Sequence, residues 1–151
     1  MLDSIYYCFR ILPYGLPHLQ AVKKERKLYL WDWSLCQNDA AQFETLVPSY
    51  LLKYCHFHED TEGDDRSLRF LRDSAGRAID FVVRKNGKLE FAVECKSGDR
   101  ALSKNITYFS RRTPIPKFYQ VHLRSSGEDS EWLEANARIL PFTRLCEILR
   151  I

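Results

Sequence analysis

The dipeptide Asn86-Gly87 lies between two β-prone runs and is the strongest hairpin signal in the chain. It predicts antiparallel strands over residues 78–85 and 88–97, because both residues of this dipeptide tolerate the positive φ angles of a tight turn. A further strand is expected over 67–72, closed by turn residues at 73–76. The chain therefore contains a meander of three consecutive strands.

Helices are predicted on either side of this meander. Following Asn38 or Asp39 as N-cap, apolar residues recur at the spacing of an amphipathic helix: Phe43, Leu46, Val47, Tyr50, Leu51 and Tyr54. Pro48 should kink or split this helix, since it removes a backbone donor. A second helix is expected over roughly 100–111, a strand over 117–123, and a last helix beginning at Pro141.

The order of these elements is helix, three strands, helix, strand. A helix between the third and fourth strands indicates a parallel pair joined by a right-handed crossover. The predicted fold class is therefore α/β, with an αβββαβ core and a mixed central sheet flanked by helices. We assign this core to residues 36–151.

Residues 1–35 form a distinct β-prone segment. Two short strands, joined by a basic link at 23–27, are expected there. The first carries Ile5, Tyr6, Tyr7, Phe9 and Ile11, which is much apolar surface for a terminal strand. Such a strand either folds back on the core or pairs with another chain, and we expect a homodimer through this segment.

Composition narrows the class of protein. The chain has 151 residues, which is enough for one domain. Its net charge of +3 is compatible with DNA as a partner. No apolar run is long enough for a membrane span, the N-terminus lacks a secretory signal, and five irregularly spaced cysteines favour the cytoplasm. There is no P-loop sequence, so we expect no ATP binding by this chain.

Asp80, Glu94 and Lys96 are the residues most suited to chemistry. Glu94 and Lys96 point to the same face of their strand because side chains alternate. Asp80 and Glu94 can supply carboxylate ligands to Mg²⁺ or Mn²⁺, with the carbonyl of Cys95 as a third ligand, and Lys96 can polarise water or offset phosphate charge. Glu44 lies at the edge of the first helix's apolar stripe and can reach toward the sheet.

A strict two-residue turn at Asn86-Gly87 would place Asp80 opposite Val93, and so on the face away from Glu94. The candidate site therefore requires an odd-length loop, such as Lys85-Asn86-Gly87, or a β-bulge between Asp80 and Glu94. We expect one of these, with both carboxylates and the Lys96 amine converging on one pocket.

The pattern resembles the PD-(D/E)xK nuclease superfamily, which has a restriction-endonuclease-like fold. Ile79-Asp80 matches its "PD", with isoleucine in place of proline, and Glu94-Cys95-Lys96 matches its "ExK". Glu44 corresponds to the acidic residue on the first core helix of many members. Further segments resemble an uncharacterised nuclease-like domain at the C-terminus of prokaryotic AAA+ ATPases, here without the ATPase: 28–33, 43–47, 60–63, 68–73 and 112–116.

The resemblance implies a Mg²⁺-dependent phosphodiesterase acting on DNA. Asp80, Glu94 and Cys95 would hold the metal, and Lys96 and Glu44 would be catalytic. The basic residues Arg100, Arg111, Arg112 and Lys117 are candidates for contacting phosphates. The alternative is a non-catalytic module with the same fold, which binds nucleic acid or regulates an ATPase partner.

Overall fold

The computed structural model describes residues 6–15, 26–97, 101–123, 130–132 and 135–151. Its strands are β1 (Cys8–Pro13), β2 (Lys27–Leu30), β3 (Arg66–Arg72), β4 (Ala78–Lys85), β5 (Lys88–Cys95), β6 (Phe118–His122), β7 (Ser130–Trp132) and β8 (Ala137–Pro141). Its α-helices are α1 (Asp39–Glu62), α2 (Lys104–Ser110) and α3 (Phe142–Leu149). Within the described residues the strands form one mixed sheet of order β2-β1-β3-β4-β5-β6-β8-β7.

The predicted αβββαβ core is confirmed as α1-β3-β4-β5-α2-β6. β3, β4 and β5 are antiparallel neighbours, and β5 pairs with β6 in parallel through the α2 crossover. Strands β7 and β8 were not predicted. β8 pairs in parallel with β6, and Ala137, Ile139 and Leu140 on it are buried. A strand with buried residues on both faces shows no polar alternation, so its pattern was not recognised.

Helix α1 runs without interruption through Pro48, so the predicted split is wrong. Asn38 caps its start by accepting from the Ala41 amide at 2.9 Å, and Gly63, at φ +70°, ends it in the left-handed conformation. Val47 and Leu51, on either side of the proline, are fully buried. Packing of this face compensates for the missing backbone donor, since tertiary contacts dominate helix stability in proteins.

The sheet has an apolar cluster on each face. Residues of α1 and α3 pack with Phe81, Val83, Phe91 and Val93 on one face, the α1 face. Residues of α2 pack with Ile79, Val82 and Ala92 on the other, the α2 face.

No helix among the described residues is both long and apolar enough to cross a membrane, and the cysteines are free thiols.

Strand β1 changes partner along its length. Residues 8–11 pair with β2, whereas Leu12 and Pro13 pair in parallel with β3. Phe9 is buried and stacks on Tyr29, whose ring centroid lies 5.8 Å from that of Phe81. The described part of residues 1–35 thus folds back on the core. The homodimer through this segment stays a prediction, and β2 at the sheet edge is the strand that such a dimer would extend.

The register between β4 and β5 contains the predicted bulge. Asn86 and Gly87 have φ angles of 49° and 79°, and Lys85 pairs with Lys88, so the loop has two residues rather than three. Counting away from the turn, Arg84 pairs with Leu89 but Val83 pairs with Phe91. Glu90 therefore has no partner on β4 and is the extra residue of a bulge. Phe81 consequently pairs with Val93, and the next position along places Asp80 opposite Glu94.

A second irregularity, between β3 and β4, was not predicted. Arg69 pairs with Val82 but Leu71 pairs with Ile79, so Asp80 and Phe81 together lie opposite Phe70. Phe81 accordingly faces the α1 side, whereas Ile79, two residues away, faces the α2 side. Bulges re-aim side chains, and this one sits at the candidate site itself.

The turn between β3 and β4 depends on the buried carboxylate of Asp73. Its Oδ1 accepts from the amides of Ala75 and Arg77, and its Oδ2 accepts from the Arg77 Nε at 2.7 Å. Burial alone would raise the pKa of Asp73, but these hydrogen bonds outweigh it and hold the pKa below its usual range.

We expect Asp73→Asn to reduce the free energy of unfolding at pH 7 by about 1–3 kcal/mol, because it removes charge-assisted hydrogen bonds. A lowered pKa contributes stability that is present above the unfolded-state pKa and is lost as pH falls through the folded-state pKa. The deficit should therefore shrink as the pH falls below the unfolded-state pKa of about 4, measured by urea denaturation. Ser74→Ala in the same turn is the control, and a deficit independent of pH would contradict this account.

Candidate functional site

Glu94 lies near the end of β5 and is only 2% exposed. Its Oε1 accepts from the Ser103 hydroxyl at 3.1 Å and lies 2.9 Å from the Lys96 ammonium. Its Oε2 is buried and has no hydrogen-bond partner among the described residues. Burial, followed by the charge of Asp80, raises the pKa of Glu94 in spite of Lys96. The ionised carboxylate therefore lacks stabilising charge on the Oε2 side.

Lys96 extends from the end of β5, and its side chain is 44% exposed. Burial alone would lower the pKa of Lys96, but the hydrogen bond and charge of Glu94 raise it. The ammonium therefore stays protonated at neutral pH. The expected grouping of Glu94 with Lys96 is confirmed as a direct ion pair.

The Asp80 carboxylate contacts the same end of β5 by a hydrogen bond to its backbone. Its Oδ2 accepts from the Cys95 amide at 2.9 Å, so the carboxylate contacts the residue between Glu94 and Lys96. Its Oδ1 lies 3.8 Å from the Lys27 Nζ. Lys27 was not predicted to belong to the site, since it was expected in the basic link at 23–27. Only the return of β2 across the sheet brings this cation to Asp80.

Glu44 is exposed on the first turns of α1. It lines a cleft with Phe43, Cys95 and Lys96, at the end of β5. Burial, and then the charges of Asp80 and Glu44, raise the pKa of the Cys95 thiol, which is consequently neutral. Cys95 is therefore suited to contribute its carbonyl rather than a thiolate. Asp80 and Glu94 do not line this cleft, so the predicted convergence of both carboxylates and the Lys96 amine on one pocket is not seen here; Lys96 shares the cleft with Glu44 instead.

Two polar residues that were not predicted to belong to the site, buried Gln120 and partly buried Ser103, support Glu94. Gln120 on β6 accepts from the Ser103 amide at 2.7 Å and donates to the Ala101 carbonyl at 2.9 Å. It thereby holds in place the serine that both caps α2 and donates to Glu94. Gln120 could have been found from the sequence, because a glutamine within an otherwise apolar strand indicates a buried and hydrogen-bonded polar group.

The predicted phosphate-contacting residues do not gather around Lys96. Arg111 and Arg112 follow the C-terminal end of α2, and Lys117 precedes β6, whereas Lys96 lies at the opposite end of the parallel strands. The Arg112 guanidinium lies 4.1 Å from the centre of the Tyr108 ring. Arg100 lies outside the described residues.

The residues present fit a divalent cation at Glu94. A buried carboxylate oxygen without a partner, a second carboxylate opposite it on the next strand, and a nearby carbonyl are the oxygen donors that Mg²⁺ takes, with water completing its shell. Within the described ranges, no group of three or more His, Cys, Asp or Glu side chains is arranged around a common point. Any such site therefore has two carboxylates, and Glu44 lies apart from them.

Comparison with known proteins identifies the family. No curated protein and no solved structure matches the chain. Residues 40–145, more than two thirds of the sequence, match DUF4143, which is described as a domain of unknown function. It is a domain found at the C-terminus of AAA+ ATPases, and this match gives no support for a nuclease family. The match begins in α1, ends in α3 and includes Glu44, Asp80, Glu94 and Lys96. The chain therefore belongs to the DUF4143 family.

Proposed function

We propose that this protein is a Mg²⁺-dependent phosphodiesterase of the PD-(D/E)xK type that acts on DNA in the cytoplasm. The observation that carries the proposal is the unpartnered Oε2 of buried Glu94, beside Asp80 and Lys96. A buried carboxylate is costly unless a cation or proton compensates it. The αβββαβ order, which resembles that superfamily, adds support.

Each residue has a distinct role in this proposal. Glu94 and Asp80, with the Cys95 carbonyl, would hold Mg²⁺ or Mn²⁺, which when bound supplies Lewis-acid stabilisation of phosphate charge. Lys96, charged and half exposed, orients an attacking water or offsets negative charge on the scissile phosphate. Ser103 keeps the Glu94 carboxylate in position. Glu44 faces the same cleft as Lys96 and serves as an acceptor for a water proton.

A second candidate is a non-catalytic module that binds nucleic acid or regulates an ATPase. Two observations favour it. Asp80 already has a cation at 3.8 Å, in Lys27, and an amide donor in Cys95. The family is found at the C-terminus of AAA+ ATPases, so regulation of an attached or partner ATPase is the corresponding non-catalytic role.

Cleavage assays separate the two candidates. We expect the purified chain to cleave at least one of supercoiled plasmid, linear duplex, single-stranded DNA or RNA in Mg²⁺ or Mn²⁺, and none in EDTA. In parallel, Mg²⁺ should raise the melting temperature of the protein, since a ligand that binds only the folded state stabilises it. A folded protein that cleaves none of these substrates and shows no shift with either metal would favour the non-catalytic module.

A further inference from the structure

A cleft on the α2 face is lined by three arginines. Arg69 on β3 and Arg84 on β4 share this face, because Arg69 pairs with Val82 and Arg84 pairs with Ser67. Arg26, just before β2, and Tyr14, just after β1, complete the wall. The candidate active site uses none of these four residues.

The arginines are not neutralised by neighbouring acids. The Arg84 Nε is buried and has no hydrogen-bond partner within the described part of the chain. No ion pair is formed by Arg26, Arg69 or Arg84 with any carboxylate in those same ranges. Asp65 acts on Arg69 only at a distance. The Arg84 guanidinium lies 5.8 Å from the centre of the Tyr14 ring, which keeps it at the cleft.

Grouped guanidinium ions with few opposing charges are destabilising in a folded protein unless an anion occupies the space between them. Burial, and then the nearby charge of Arg84, lower the pKa of Arg69, which agrees with this mutual repulsion. Arg66 on the same strand differs from Arg69 in this respect, because its charge is compensated by ion pairs with Glu90 and Asp64. Guanidinium groups match phosphate oxygens in a bidentate geometry.

We infer that the cleft between Arg69, Arg84 and Arg26 binds a phosphate group, supplied either by a nucleic-acid strand or by a free nucleotide. Arg84 lies four positions after Asp80 along β4, which is about 13 Å at the rise of an extended strand. The inference concerns binding only and does not depend on cleavage at Glu94.

The test measures binding in EDTA, where no metal-dependent cleavage occurs. The probes are a fluorescein-labelled single-stranded 12-mer of thymidine, followed by anisotropy, and AMP and inorganic phosphate, followed by calorimetry. The variants are Arg69→Gln and Arg84→Gln, with Lys53→Gln on exposed α1 as the matched control for loss of one charge.

We expect each arginine variant to lose about tenfold in affinity, since charge-assisted hydrogen bonds are lost, while Lys53→Gln changes affinity by less than about twofold. The melting temperature should be equal to or higher than that of the wild type, because repulsion is relieved. Binding of the 12-mer identifies a strand as the source, whereas binding of AMP alone identifies a free nucleotide, and both support the site. Arginine variants that bind like Lys53→Gln, or a wild type that binds no probe, would overturn it.

Discussion

Glu94→Gln and Lys96→Ala are each expected to reduce Mg²⁺-dependent cleavage by at least about 100-fold, the usual cost of losing a group that stabilises transition-state charge. Glutamine keeps the shape of Glu94 and its hydrogen bond from Ser103, but it removes the charge that would hold the metal. Alanine at position 96 removes the only cation in contact with Glu94 among the described residues. The measurement is the initial rate of plasmid cleavage.

Matched controls distinguish chemistry from folding. Asp60→Asn and Lys53→Ala alter the same kinds of charge on the exposed surface of α1, and they should cleave at the wild-type rate. Glu94→Gln should also abolish the rise in melting temperature on adding Mg²⁺, a readout that does not depend on turnover. Cleavage at the wild-type rate by both Glu94→Gln and Lys96→Ala would show that the site is wrongly assigned.

Arg66→Met is expected to cost about 3–5 kcal/mol of unfolding free energy, the largest effect on stability that we predict. Arg66 is 5% exposed and donates to both oxygens of Glu90, at 3.0 and 2.7 Å, and to Asp64 at 3.3 Å. It also contacts the Tyr54 hydroxyl. Removing one partner leaves the Glu90 carboxylate, itself partly buried, without compensation. Urea denaturation at pH 7 measures the loss.

A double-mutant cycle isolates the ion pair from the packing of its methylenes. Arg66→Met combined with Glu90→Met should recover part of the loss, because no uncompensated charge remains. Arg72→Met, at the exposed end of the same strand, should stay within about 0.5 kcal/mol of the wild type. An Arg66→Met protein as stable as Arg72→Met would show that the network contributes nothing.

The Arg66 network also bears on the candidate site, because Glu90 is the extra residue of the β5 bulge. Its carboxylate is held by Arg66 and by Tyr54 on α1. These contacts hold the extra residue within the register that places Asp80 opposite Glu94. Without the bulge, the two-residue turn would put Asp80 opposite Val93 instead.

Local sequence patterns were sufficient to predict much of the core. The meander, the turn at Asn86-Gly87 and the order of helices and strands follow from alternation, helical periodicity and turn chemistry, which act between near neighbours. The need for a bulge between Asp80 and Glu94 also followed, since strand pairing is a matter of counting residues from the turn. The position of the bulge at Glu90 did not, because the residues that contact Glu90, Arg66 and Tyr54, are distant from it in the chain.

What the sequence determined by itself is therefore the residue types and their order: a strand with Glu94 and Lys96 on one face, and a hairpin partner carrying Asp80. Tertiary structure alone decided how these groups are paired. It brought Lys27 to Asp80, Ser103 and Gln120 to Glu94, and Arg69, Arg84 and Arg26 to one cleft. The physical reason is that charges and hydrogen bonds act over a few ångströms of space, which a periodicity along the chain does not encode.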